Sequence, residues 1–172
     1  MYLLFVSIIL AASVAASAES EVFPVEPGAP SRVVKFEGGQ TKIYREQGRD
    51  HVVVRDAKGK ISAESYCQDS DYELYHNLFV NLRAALAEDD PQRVSNLIEF
   101  PLRVNTAKPF WIRDRKALVA KYAMVFTEEV RKKIQAAEPA AVFCRDGAAM
   151  LGNGVVWAQG KKGRVAVCVV NP

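Results

Sequence analysis

The sequence predicts an α+β protein in which an antiparallel sheet is packed by helices and a short β meander precedes the first helix. Three observations support this class. Short strand-like segments separated by glycines occupy residues 32–66, and helical periodicity with capping residues follows between Ser70 and Pro139. Alternating segments separated by Gly and Asn turns fill the rest. Segregation of strands and helices along the chain is typical of the α+β class.

The first segment, Met1 to Ala18, has the properties of an export signal. It carries no charge, runs through an apolar stretch and ends in small residues, and Ala16-Ser17-Ala18 fits the A-x-A cleavage pattern. Cleavage there would make Glu19 the first residue. The basic residue that usually precedes the apolar stretch is missing, which a start codon placed too late would explain. The alternative is an uncleaved membrane anchor, because the stretch approaches the ~20 residues that span a bilayer.

The remainder is predicted to be one domain. Residues 19–31 are broken by prolines and form an extended leader, and residues 32–172 form a single α+β domain of ordinary size. The formal net charge is +3. This excess is smaller than a nucleic-acid-binding domain carries, so no nucleic-acid partner is expected.

Three strands are predicted before the first helix. They span 32–36, 41–45 and 51–55, and glycine-containing turns separate them. We expect these residues to form a β extension, covering 32–66, that precedes the core of the domain.

The first helix is predicted from a capping box, Ser70-Asp71-Tyr72-Glu73, and continues to about Glu88. Apolar residues then recur at helical spacing and define its buried face. They are Tyr75, Leu78, Phe79, Leu82, Ala85 and Leu86.

A short second helix is predicted from Asp90-Pro91, with Pro101 ending it and Glu99 at its end. Its inward residues would be Val94, Leu97 and Ile98. Period-2 alternation of Phe100, Leu102 and Val104 predicts a half-buried strand, and 110–112 is a second short strand or an apolar clamp. Asp114 and Thr127 are predicted caps of two further helices, the first carrying Leu118, Val119 and Tyr122 inward.

The C-terminal part is predicted to be an antiparallel meander. Its strands span 140–144, 148–151, 155–159 and 164–170. Gly and Asn in the connections tolerate the positive φ that hairpins require. Asn153-Gly154 is either such a hairpin or a bulge within one long strand.

Cys67, Cys144 and Cys168 form an odd set, so an exported chain should hold one disulfide and one free thiol. If Cys144 and Cys168 lie on outer strands of the meander, at least one strand separates them by nearly 10 Å, beyond the ~7 Å Cα limit for a bridge. Cys67 should therefore pair with one of them. The alternative is three unpaired buried thiols. No metal site is expected, because no C-x-x-C occurs and the two histidines, His51 and His76, lie far from the cysteines in sequence.

The order of these elements resembles the cone-shaped fold of the nuclear transport factor two-like superfamily, which includes ketosteroid isomerase relatives. The residues that carry the resemblance are the capped helix from Ser70, the segment 100–104 and the segment 151–157. It covers about 69–171 and leaves 32–66 aside. The resemblance implies a curved sheet and a pocket between that sheet and the helices.

Enzymes of that superfamily use a pocket Asp as base, with a Tyr and a carboxylic acid stabilising an oxyanion. This sequence has no matching set, because Asp114 is a helix cap, Glu99 ends a helix and Asp146 lies in a turn. No catalytic residue and no cofactor are therefore predicted, and no Gly-rich phosphate loop occurs.

Basic residues crowd the segment from Arg103 to Lys121, opposed only by Asp114. We predict that this segment or the pocket binds a partner. The candidate binding residues are Arg103, Trp111, Arg113, Arg115, Tyr122 and Trp157. The alternatives are a solvated basic helix face, a Tyr122 that belongs to the core and tryptophans that only pack.

The predicted function is that of a non-catalytic periplasmic or secreted binding protein that engages an acidic protein or a small anionic ligand. An inhibitor or immunity protein against a secreted toxin fits this description. The sequence leaves the oligomeric state open, and no stable membrane span is expected after cleavage. The alternative is a pocket enzyme of isomerase-like or hydrolase-like type that uses acid and base catalysis. Structural association with a membrane or cell wall is a third interpretation, which requires the first segment to stay attached.

Overall fold

A computed structural model describes residues 28–67, 72–161 and 163–172. The predicted signal segment, most of the leader and two residues of the capping box, Ser70 and Asp71, lie outside the described residues. Within these residues the chain is α+β, with two sheets and five helices.

The first sheet has four antiparallel strands in sequential order. They are β1 (Arg32–Phe36), β2 (Gly39–Glu46), β3 (Arg49–Asp56) and β4 (Ile61–Cys67). Gly39 is required at the start of β2, because a Cβ there would lie 2.1 Å from the carbonyl oxygen of Arg55.

Sequence patterns predicted β1 to β3 but missed β4. The side chains of β4 that face the core include the small residues Ala63 and Ser65, which pair with Val54 and Val52 of β3. A strand with small and polar inward residues has a weak hydrophobic alternation, and only its pairing with β3 identifies it.

Five helices follow. They are α1 (Tyr72–Ala87), α2 (Pro91–Asn96), α3 (Arg115–Ala120), α4 (Tyr122–Val125) and α5 (Glu128–Ala136). The predicted caps are present, since the side chains of Asp90, Asp114 and Thr127 accept hydrogen bonds from backbone N–H groups in the first turns of α2, α3 and α5. The helix predicted after Asp114 is divided into α3 and α4.

The second sheet has six strands. They are β5 (Ile98–Val104), β6 (Phe110–Ile112), β7 (Phe143–Arg145), β8 (Ala148–Leu151), β9 (Val156–Lys161) and β10 (Arg164–Val170), arranged in the order β6-β5-β10-β9-β8-β7. Glycines and Asn153 at positive φ form the hairpin between β8 and β9.

The expectation of a wholly antiparallel sheet was wrong, because β10 pairs with β5 in parallel and the sheet is mixed. After β6 the chain passes through α3 to α5 and returns at the far edge as β7. The meander then leads back across the sheet, so that its last strand lies beside β5 and runs in the same direction.

The prediction that Ile98 and Glu99 belong to a helix ended by Pro101 was also wrong. α2 ends at Asn96, and all three residues belong to β5. Ile98 pairs with Val167 of β10, and this long-range pairing outweighs the helical spacing of Val94, Leu97 and Ile98.

The core lies between α1 and the inner faces of both sheets. A single cluster of buried residues joins Val52 and Val54 of the first sheet, Phe79 and Leu82 of α1, and Val167 of the second sheet. The buried face predicted for α1 is confirmed.

A disulfide joins Cys67 at the end of β4 to Cys144 in β7, with a Cα–Cα distance of 5.1 Å. The backbone N–H of Cys144 also donates to Ser65 Oγ at 3.0 Å. The prediction that Cys67 is bridged is confirmed. Cys168 is a free thiol on β10, the last strand of the meander, and β8 and β9 separate it from Cys144 on β7, as the prediction assumed.

Among the residues described, no helix has the length and apolar composition needed to cross a membrane.

Candidate functional site

A row of side chains crosses all six strands of the second sheet on its outward face. The pairing registers align one residue of each strand with its neighbour on the next. From β7 to β6 these residues are Phe143, Met150, Trp157, Val169, Arg103 and Trp111. We call them the cross-strand row. At about 4.8 Å per strand the row extends roughly 24 Å.

The alternation of side chains along a strand separates this face from the core. Leu102, Val104 and Ile112 point inward and are buried, whereas their neighbours Arg103 and Trp111 point outward and are exposed. Trp111 is 57% exposed, which is high for the side chain with the largest apolar surface. Packing within the described residues therefore does not account for Trp111.

The other apolar members, Phe143, Met150, Trp157 and Val169, are half-buried. Trp157 lies close to the turn between β8 and β9, where a Cβ on Gly154 would be 3.3 Å from the indole Nε1. The row therefore changes from half-buried apolar side chains at β7 to an exposed arginine and tryptophan at β6.

Positive charge is concentrated beside the β6 end of the row. Arg113 follows β6 directly and Arg115 and Lys116 begin α3, and all three are exposed. Within the described part of the chain, these three cations make no ion pair, and neither does Arg103. The carboxylate of Asp114 accepts from the N–H of Ala117, as a helix cap, at 2.8 Å.

The structure brings three of the six predicted binding residues into one row: Arg103, Trp111 and Trp157. Arg113 and Arg115 lie next to the row in the chain and are exposed. Tyr122 is not part of this face, because α4 buries it in the core. The guanidinium of Arg131 stacks over its ring at 5.4 Å, and burial raises the pKa of its hydroxyl.

A cleft of about 740 Å³ lies where the end of α5 meets both sheets. Its lining is mostly apolar and includes Phe143 and Met150, so the cleft adjoins the β7 end of the row. None of the six predicted binding residues lines it. Its two ionisable side chains have partners: Lys133 is 2.7 Å from Glu129, and Glu138 accepts from the N–H of Ala140 at 3.0 Å.

A second polar cluster surrounds His51 in the first sheet. Its Nδ1 lies 3.1 Å from a carboxylate oxygen of Glu46 and its Nε2 lies 2.7 Å from one of Glu64, while its ring stacks on Tyr66 at 4.4 Å. His51 is only 3% exposed. No local spacing in the sequence signals this cluster, because the partners of His51 come from neighbouring strands.

The carboxylates bind His51 from opposite sides of its ring and do not converge on a common point. Within the described residues there is no group of three or more His, Cys, Asp or Glu side chains that could hold a metal ion. The cluster therefore cross-links β2, β3 and β4.

Comparisons with protein-family models, with curated proteins and with solved structures found no match to this chain.

Proposed function

We propose that the protein is a non-catalytic exported binding protein whose partner is an acidic protein segment that docks on the cross-strand row and the adjoining basic residues. The single observation that carries the proposal is the pairing of Arg103 with Trp111. An unpaired cation and a tryptophan that is 57% exposed lie side by side on adjacent strands.

The composition of this face supports a protein partner. Tryptophan and arginine are the residues most enriched among those that dominate protein–protein binding energies. The row provides both at one end and apolar side chains along the rest, over roughly 24 Å. A small anion would need only the basic end and would leave the apolar part of the row unused.

The local charge supports an acidic partner. Arg103, Arg113, Arg115 and Lys116 have no acidic partner within the described residues, so they are available to attract one. Complementary charge accelerates association and selects among partners more than it increases affinity.

The disulfide supports an oxidising compartment, since such bonds persist in the periplasm and outside cells. Together with the signal-like segment 1–18, it is the basis for proposing a periplasmic or secreted location. An inhibitor or immunity protein that neutralises an acidic surface of a toxin fits such a location and such a face.

Trp111 and Trp157 are the only tryptophans in the chain, and both belong to the row, so tryptophan fluorescence reports on this face alone. We would titrate the protein with a short capped peptide of alternating Glu and Leu, and with a matched peptide of Gln and Leu. The expected result is a fluorescence change with the acidic peptide, weakened at least about tenfold by combining Arg113→Glu, Arg115→Glu and Lys116→Glu. Binding should also weaken with added salt.

The matched control is Lys35→Glu, which reverses an exposed charge on β1 of the other sheet and should leave the affinity within about twofold. Equal affinity for both peptides, or equal losses in the triple variant and the control, would refute the proposal. Binding of the Glu–Leu peptide that survives Trp111→Ala would place the site elsewhere.

A further inference from the structure

We propose that Arg103 is the carboxylate-binding residue of this face and that Asn105 and Asn171 are positioning residues that hold its guanidinium in place. This inference rests on the proposed function and adds the chemical group recognised and the residues that prepare its binding.

A chain of hydrogen bonds leads from Arg103 into the backbone of the sheet. Arg103 Nε donates to Asn105 Oδ1 at 2.7 Å, and Asn105 Nδ2 donates to Asn171 Oδ1 at 2.8 Å. Asn171 Nδ2 in turn donates to the carbonyl oxygen of Gly154, in the turn between β8 and β9.

Backbone hydrogen bonds hold both asparagines. The N–H of Asn105 donates to the carbonyl of Val170 at 2.9 Å, and the N–H of Asn171 donates to that of Val155 at 2.8 Å. The chain therefore joins the ends of β5 and β10 to the β8–β9 turn, and each asparagine is held by both its backbone and its side chain.

This arrangement uses the Nε donor of Arg103 and leaves its Nη donors available for a ligand. With Nε bound to Asn105, one N–H of each Nη atom remains at the far end of the planar guanidinium, and within the described residues the Nη atoms make no hydrogen bond or ion pair. A planar guanidinium with free terminal donors matches a carboxylate, which can accept two parallel hydrogen bonds. Fixing the side chain in advance lowers the entropy lost on binding.

The neighbours of Arg103 define what lies beside the carboxylate. Trp111 is its partner on β6 and Val169 its partner on β10, so apolar side chains flank it on both sides of the row. Glu99, the acidic residue on the same face of β5, lies toward the other end of that strand, where Arg164 is 4.0 Å away. The site thus suits an acidic side chain with apolar neighbours.

The inference can be tested separately from the partner, with propionate as a carboxylate probe and propionamide as its neutral match. The measurement is NMR of the Arg103 Nε–H and the Trp111 indole N–H during titration. Propionate should shift both signals and propionamide neither. Asn105→Ala should weaken propionate binding roughly fivefold, and Arg103→Lys should weaken it roughly tenfold.

Asn105→Asp separates positioning from a merely structural role. It keeps an acceptor for Arg103 Nε but loses the donor to Asn171 Oδ1, so it should lower the melting temperature about as much as Asn105→Ala does. Its carboxylate also competes for the guanidinium and should abolish the propionate binding that Asn105→Ala only weakens. Equal affinity for propionate in Asn105→Asp and the wild type would overturn the inference, as would tighter binding of inorganic phosphate, which would assign the site to another anion.

The two proposals fail differently. If the Glu–Leu peptide binds and Trp111→Ala weakens it, while Arg103→Lys and Asn105→Ala have no effect, the docking face stands and the role of Arg103 is wrong. If propionate titrates Arg103 as expected but the peptide does not bind, the carboxylate site stands and the docking face is wrong.

Discussion

The carboxylate of Asp50, in β3, accepts a hydrogen bond of 2.8 Å from the backbone N–H of Tyr72, the first residue of α1. It also accepts from Arg45 at 2.6 Å. A residue distant in the chain thus places a negative charge at the positive end of the longest helix.

We expect Asp50→Ala to destabilise the protein by about 2 kcal/mol, because it removes a cap and an ion pair at a buried position. Asp50→Asn should cost less, since an amide oxygen can still accept from Tyr72. Urea unfolding at neutral pH measures both. Glu37→Ala, in an exposed turn, is the control and should change the free energy of unfolding by less than about 0.5 kcal/mol. Equal effects of Asp50→Ala and the control would show that Asp50 does not support α1.

The disulfide is expected to contribute a large part of the stability. Cys67 and Cys144 are separated by 77 residues, for which loop-closure entropy gives about 4.5 kcal/mol. The double variant Cys67→Ala/Cys144→Ala should therefore unfold at much lower urea concentration, and a reducing agent should destabilise the wild type but not this variant. Cys168→Ala should leave the response to reductant unchanged. Alkylation followed by mass spectrometry should find one reactive thiol after unfolding, and three would contradict the bridge.

The His51 cluster should stabilise the first sheet. His51→Ala removes the polar contacts of both ring nitrogens with carboxylates and the stacking on Tyr66, and we expect a loss of about 2 kcal/mol. His51→Phe retains the stacking and removes the polar contacts. The difference in stability between the two variants therefore measures the stacking, and the loss in His51→Phe measures the polar contacts. Thermal unfolding by circular dichroism measures both variants. Wild-type stability in His51→Ala would mean that the cluster is not a cross-link.

Stability should fall in alkaline solution because of Tyr72. Burial raises the pKa of its hydroxyl from 10.0 to about 12, and this hydroxyl donates to the carbonyl of Ala140 at 2.9 Å. A group whose pKa is higher in the folded state binds its proton more tightly there. Its contribution is complete below pH 10.0, the unfolded value, and is lost as the pH rises toward about 12.

Tyr72→Phe should reduce this dependence, leaving the share of other buried tyrosines such as Tyr122, and should cost about 1 kcal/mol at neutral pH for the lost hydrogen bond. Urea unfolding at a series of pH values from neutral to strongly alkaline provides the test, with phenolate absorbance as a check on titration. A wild type and a Tyr72→Phe variant that lose stability in parallel above pH 10.0 would assign the effect to another group.

Local patterns were enough to place most of the secondary structure. Asp90, Asp114 and Thr127 cap their helices as predicted, because a cap depends on backbone groups within three residues. The buried face of α1 followed from spacing alone. β4 escaped prediction because Ala63 and Ser65 contribute little hydrophobic contrast, and Ile98 was assigned to a helix because its strand partner lies far along the chain.

The candidate site was predicted only as separate residues. The sequence identified Arg103, Trp111 and Trp157, but their alignment depends on registers between β5, β6, β9 and β10 that no local pattern contains. Tyr122 was grouped with them because an apolar helix face and a pocket wall have the same spacing. No sequence pattern points to Asn105 or Asn171, because their side chains bond to segments far apart in the chain.

The sequence by itself determined the caps that begin α2, α3 and α5, the buried face of α1, and that Cys67 is one half of a disulfide. Only the tertiary structure decided that Cys144 is the other half, that β10 runs parallel to β5, and that Asp50 caps α1. The physical reason is the sequence separation of the interacting residues. Caps, turns and periodicity involve residues a few positions apart, whereas strand register, sheet order and cross-linking depend on the free energy of the whole folded chain.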